Sequence, residues 1–335
     1  MKNYLFYVGI DISKLKLDVF LIENVSTNKS EHFIVENNSD GIKSIISKLK
    51  KRKIELSQTL FCFENTGVYT YPLSIHLSKI QLDYWIVPAI EIKRSKGISR
   101  GKNDKTDAKD IAWYSVRNID KLKLSSIAEK EIQQLKLLFT EREKVIKALL
   151  IFGTTKENKG LLSNDVFEAV SFINLKTIKA LKTSLKELED KMKAIIKNNS
   201  ELKQQFDLIK SVPGVGQQSA LYFIIATKGF KAFENSRKFA CYAGTAPFEY
   251  SSGSSVRGAT KVNHMADKKM KMLLQMGALA AIKHDAQLKE YYNKKKSEGK
   301  NNMLVLNNVR CKIIDRVFSV INRKTPYVDT YKFAS

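Results

Sequence analysis

The sequence predicts an α/β domain, followed by a helical coiled-coil segment and a mainly helical C-terminal domain. Three observations carry this. Residues 4–11, Tyr-Leu-Phe-Tyr-Val-Gly-Ile-Asp, are apolar or small at every position before a closing carboxylate. A strand apolar on both faces is central, covered on both sides. Strand-like runs and amphipathic stretches then follow one another to about residue 117. Beyond residue 124 the apolar spacing turns helical almost throughout.

Taken in order, residues 17–22 (Leu-Asp-Val-Phe-Leu-Ile) form a second strand, joined to the first by a hairpin at 13–16, and 31–36 form a third. Gly9 has no side chain, so something can approach the backbone of the first strand closely there. A helix over 39–51 places Ile42, Ile45, Ile46 and Leu49 on one side, with Ser39-Asp40-Gly41 as its start. Residues 58–64 end on Glu64, and Asn65-Thr66-Gly67 breaks the chain. A helix over 71–79 and a strand over 83–87 complete the set before Pro88. Three hairpin-like strands, a helix, then strands alternating with helices is an order that matches the RNase H/RuvC-like fold, a mixed five-stranded sheet with helices on its faces. In that architecture metal-binding carboxylates stand on the first strand, near the end of the fourth, and on a late helix. Asp11 and Glu64 occupy the first two places, and the late helix falls at about 103–117.

Asp11 alone is also what a capped turn before Ser13 and Lys14 would show. Asp104 and Asp107 are three residues apart and share a helix face. Their mutual repulsion reverses sign around a hard cation, and Mg²⁺ takes carboxylate oxygens at roughly 2.0–2.1 Å. Two such ions about 3.5–4 Å apart clamp the attacking and leaving oxygens of a phosphodiester. Asp107 and Asp110 have the same spacing, so spacing alone does not choose the pair, and acids at a helix start also suit the dipole.

In residues 124–199 Leu135, Leu138, Val145, Leu149 and Phe152 keep helical spacing, followed by a polar break over 153–160. Ile178, Leu181, Leu185, Leu188, Met192 and Ile195 then make an unbroken heptad seam among Lys and Glu. Two helices folding back as a hairpin, or pairing between chains, would bury it. Farther on, Val212-Pro213-Gly214-Val215-Gly216 has the form of a helix-hairpin-helix turn. Glycine amides and a helix N-terminus there can face a phosphate without reading bases. Residues 250–261 read as a Ser/Gly loop with two cations, Arg257 and Lys261, where a serine could attack phosphorus. The composition equally fits a plain linker. His264 lies nearby, with no Ser–His–Asp layout. Basic and amphipathic helices are expected over 268–281 and 305–321. The chain divides accordingly at 1–124, 125–200 and 201–335.

Lysine and arginine number 58 against 34 acids, a net charge of +24 over 335 residues. A field of that sign attracts polyanions, nucleic acid first, although an AT-rich genome also enriches lysine. Cys62, Cys241 and Cys311 form no CxxC pair, which argues against zinc and a disulfide framework. With no signal-peptide layout and no apolar run near 18 residues, the expectation is a soluble, cytoplasmic, nucleoid-associated protein with no membrane partner.

Gly9-Ile10-Asp11-Ile12-Ser13, Glu64-Asn65-Thr66-Gly67, Lys102-x-Asp104-Lys105-x-Asp107-Ala108, Pro213-Gly214-Val215-Gly216, Tyr242-Ala243-Gly244-x-x-Pro247 and Ser251-Ser252-Gly253 occur in this order. The ordered set resembles the DEDD transposases of insertion sequences, relatives of the Piv DNA invertase, some guided by a bridge RNA. The resemblance runs nearly end to end. It implies an acidic tetrad of Asp11, Glu64, Asp104 and Asp107 binding Mg²⁺ (or Mn²⁺), and a serine nucleophile at Ser252, with Ser251 in reserve. It further implies a covalent phosphoserine–DNA intermediate and homodimers or homotetramers built through the coiled coil. Donor DNA, target DNA and a structured guide RNA would be the partners, with sequence choice delegated to base pairing. Where the family commonly has Lys-x-Gly-Asn, this chain has Lys261-Val262-Asn263-His264. A RuvC-like junction nuclease using water, and a non-catalytic DNA-binding protein, are the alternative readings.

Overall fold

In the computed structural model, residues 2–95, 103–153, 163–252, 256–262 and 266–329 are described, with backbone alone for 249–252 and 256–261. Two compact units divide the chain, Met1–Ile127 and Ala128–Ser335.

The first unit is built on a five-stranded sheet of order β3-β2-β1-β4-β5. Its strands are β1 (Phe6–Ile12), β2 (Lys16–Asn24), β3 (Lys29–Glu36), β4 (Thr59–Glu64) and β5 (Tyr84–Val87). The first three form antiparallel hairpins, and β1, β4 and β5 run parallel. The expected central strand is therefore central, with β2 on one side and β4 on the other. Helix α1 (Ser39–Lys51) starts at Asn38, whose side chain accepts from the Gly41 amide, and buries Ile42, Ile45, Ile46 and Leu49. Helices α2 (Tyr71–Lys79), α3 (Ala89–Ser95) and α4 (Asp104–Arg117) complete the unit.

Residue parity sorts the strand side chains into two cores. Val8, Ile10 and Ile12 join Leu17, Val19, Leu21, Phe61 and Phe63 beneath α1 and α2. On the other face, Tyr7, Phe20, Ile22, Leu60 and Cys62 meet Ala108, Ile111 and Ala112 of α4. The sheet is thus apolar on both sides because helices cover both, which is what the uninterrupted apolar run requires.

The second unit is almost wholly helical. Helix α5 (Lys130–Gly153) packs against α6 (Asn164–Asn198) within one chain, so the seam is met by a helical hairpin. After these come α7 (Ser200–Lys210), α8 (Gln217–Thr227), α9 (Ser236–Tyr242), α10 (Lys268–His284), α11 (Ala286–Ser297) and α12 (Asn302–Arg323). They enclose one core that includes Phe223, Phe239, Leu274, Ile313 and Phe318. The segment expected as a loop contains an antiparallel pair, β6 (Pro247–Ser252) with β7 (Val256–Val262). Val256, Thr260 and Val262 supply β-branched residues that the Ser/Gly composition had masked. Among the described residues no helix is long and apolar enough to cross a membrane.

Candidate active site

Asp11 sits one residue past the last recorded β1–β4 partners, Ile10 and Phe63, and Glu64 continues β4 beside it. By parity both carboxylates belong to the α4 face of the sheet. Helix α4 lies directly over Gly9. A Cβ there would stand 2.3 Å from the Ala112 amide nitrogen and 2.4 Å from the Ala108 carbonyl oxygen. Glycine is what lets this helix settle on the strand, and the helix brings its acids with it. Asn103 caps the helix, its Oδ1 accepting from the Thr106 amide and hydroxyl, each at 2.7 Å. Asp104 and Asp107 then fall in the first turn.

The electrostatics show that these groups have been brought together. Burial pushes the Asp11 carboxyl up to about 6, and the negative charges of Asp107, Asp104, Asp18 and Glu64 push in the same direction. All four acids expected from the sequence are therefore neighbours in the fold, although remote along the chain. A fifth, Asp18, carries no signal in the sequence because it lies within an apolar strand. The β1–β2 register pairs it with Asp11. It is 3% exposed, receives Lys16 Nζ at 3.2 Å, and lies 3.1 Å from His32 Nε2. Lys16 also reaches Asp104 Oδ2 at 2.6 Å. That hydrogen bond, then the one to Asp18, hold the Lys16 ammonium above its ordinary range.

Hard carboxylate oxygens around a partly buried, mutually repelling centre suit a divalent cation. Lys16 already stands in for one positive charge. No three His, Cys, Asp or Glu side chains among the described residues close on a common point for an ion.

In the second unit, Pro213, Gly214 and Gly216 occupy the turn between α7 and α8. Gly214 has φ +85°, and a Cβ there would lie 2.5 Å from the Gly277 carbonyl oxygen of α10. That glycine serves docking onto α10, whereas Gly216 faces open space at the start of α8. Ser251 and Ser252 end the backbone of β6, and Arg257 and Lys261 lie on β7. The side chains of these four, together with Lys102, Gly253, Asn263 and His264, lie outside the described residues. At the foot of the hairpin, Tyr222 and Tyr242 both donate to Asp267 Oδ2, at 2.8 and 2.7 Å.

Comparison with known proteins settles the family. A model of the DEDD transposase of IS110 type matches residues 8–154, and the transposase IS116/IS110/IS902 family model matches residues 206–293. The chain belongs to the IS110 family of DEDD transposases. The transposase is 22% identical to the pilin gene-inverting protein of Moraxella bovis over 96% of this chain and 97% of that protein. The counterpart from Moraxella lacunata matches to the same extent. A 43.6 kDa protein of insertion element IS110 from Streptomyces coelicolor is 24% identical over 45% of this chain and 38% of its own length. Membership carries the class of activity with it, that of a transposase or recombinase which cuts and transfers DNA strands.

Proposed function

We propose that this transposase moves or inverts DNA by serine chemistry assisted by a divalent cation, with Asp11, Glu64, Asp104 and Asp107 as the cation ligands and Ser252 as nucleophile. The observation that carries the reading is the set of acids crowding the half-buried Asp11 at the end of a central strand. A half-buried charge crowded by four like charges, with Lys16 as one nearby cation, is costly unless further positive charge completes it. A bound Mg²⁺ or Mn²⁺ supplies countercharge to the phosphate and to the oxygens exchanging on it.

The chain's own part is as follows. Ser252 Oγ attacks the scissile phosphorus, the bond to one DNA hydroxyl breaks, and that hydroxyl leaves with a proton. The DNA is then held as a phosphoserine ester, and attack by a hydroxyl of the exchanged strand frees the serine again. Arg257 and Lys261 neutralise the phosphate, and the turn at Pro213, Gly214 and Gly216 holds the DNA backbone. The inversion activity named for the Moraxella relatives supports a reaction that rejoins what it cuts. We assign 1–124 to the catalytic domain, 125–200 to self-association as a dimer or tetramer, and 201–335 to the serine-bearing domain. Exposed Phe172, Ile173 and Leu175 on α6 support self-association. A structured guide RNA fits the net charge of +24.

The test is denaturing-gel detection of protein–DNA adducts on DNA carrying the element's ends. The parent should form them with Mg²⁺, and Ser252→Ala and Asp11→Ala should not. Adducts at the parental rate in Ser252→Ala would remove Ser252 from its role.

A further inference from the structure

Within the acidic cluster one cation is already fixed by the chain. Lys16 opens β2 and is held by the turn before it. The Ser13 amide and hydroxyl both donate to the Lys16 carbonyl, at 3.0 and 2.9 Å, and the Lys16 amide donates back to Ser13 Oγ at 3.2 Å. Asn37 secures the same turn by donating to the Ser13 carbonyl at 2.9 Å. From this base the Lys16 ammonium spans Asp104 Oδ2 at 2.6 Å and Asp18 Oδ2 at 3.2 Å.

Its two partners are unequal. The side chain of Asp18 is 4% exposed and also in contact with His32, whereas that of Asp104 is 53% exposed and sits on a first helical turn. An ammonium donates along three separate N–H directions, here at 2.6 and 3.2 Å, and does not draw several carboxylates onto one point. A divalent ion takes carboxylate oxygens at roughly 2.1 Å, and an ammonium left on the same carboxylate would be repelled by it, so the two cations compete for Asp104.

We propose that Lys16 is the resident counter-cation of the acidic cluster, competing with the divalent ion for Asp104 and retained on Asp18 when the ion binds. This rests on the reading of the cluster as a cation site. In that role Lys16 is a positioning residue. It offsets the like charges of the metal-free protein, and it sets how tightly a divalent ion is taken up.

The test is titration of the full-length protein with Mn²⁺ in the absence of DNA, followed by calorimetry and by the electron paramagnetic resonance signal of free Mn²⁺. Removing one nearby, partly solvated charge should tighten Mn²⁺ binding by roughly three- to tenfold in Lys16→Met. Lys16→Arg keeps the charge and should stay within about twofold of the parent. On an Asp104→Asn background the gain from Lys16→Met should shrink to less than about twofold, because the contested carboxylate charge is gone. Asp107→Asn should weaken binding in every background and so locates the ion in the cluster. If Asp107→Asn weakens binding but Lys16→Met leaves it unchanged or weaker, the role of Lys16 is overturned while the cation site stands. Equal tightening in Lys16→Arg and Lys16→Met also overturns it, since charge would not be the cause. If no Mn²⁺ binding depends on Asp107, the cation site itself fails, and the inference with it.

Discussion

Asp11 holds its charge against the environment the fold gives it. Its native value of about 6 exceeds the ordinary 3.8, first through burial and then through Asp107, Asp104, Asp18 and Glu64. Between those two pH values the native state binds the proton more tightly than the unfolded chain does. Stability from this group therefore falls as pH rises through the window, and at neutral pH the ionised carboxylate is a net cost. Asp11→Asn should raise the melting temperature of the metal-free protein at pH 7.5 and leave it nearly unchanged at pH 4. A lowered melting temperature at pH 7.5 would show that the carboxylate is satisfied as it stands. Asp11 and Glu64 were legible in the sequence because each closes an apolar run. Asp18 was not, since a carboxylate inside Leu-Asp-Val-Phe-Leu-Ile looks like ordinary strand alternation. Only the register opposite Asp11 reveals it. Lys16 was hidden among hairpin residues for the same reason.

The element that decides the site is α4, and its seat is Gly9. In Gly9→Ala the added carbon would meet backbone atoms of Ala108 and Ala112, which no rotamer change can move aside. The helix must lift, and we expect a loss of about 3 kcal/mol in urea denaturation, at the upper end of overpacking effects. A loss below about 0.5 kcal/mol would mean that the helix has room to shift. Elements with strong periodicity, such as β1, α1 and α6, were readable because burial imposes their spacing. By contrast, α11 escaped, having Leu288 as its one fully buried residue among many lysines. The β6–β7 hairpin escaped because serine and glycine composition reads as loop while backbone pairing does not depend on it.

Across the whole molecule, the two units own separate cores. The clusters around Val8 and Tyr7 lie within Met1–Ile127, and the cluster around Phe223 lies within Ala128–Ser335. Each unit should therefore unfold as its own cooperative transition. Phe223→Ala, which empties a fully buried aromatic site, should cost about 3–5 kcal/mol in one transition and leave the other in place. Calorimetry in which both transitions move together would show that the units unfold as one. A change of character near residue 124 is legible in the sequence, because strand alternation gives way there to helical spacing. The close approach of Gly214 to Gly277 of α10 is not legible there, since the two residues are far apart along the chain.

The parallel pairing of β1 with β4 also bears on how this lineage can vary. Side chains in a strand change sides with every residue. An odd-numbered insertion within 60–63 would carry Glu64 through to the α1 side, away from Asp11, whereas extra residues in the link between α1 and β4 would leave both acids in place. Changes of length should be tolerated in that connector and not in the two short strand runs, where a single added residue moves one acid off the shared face.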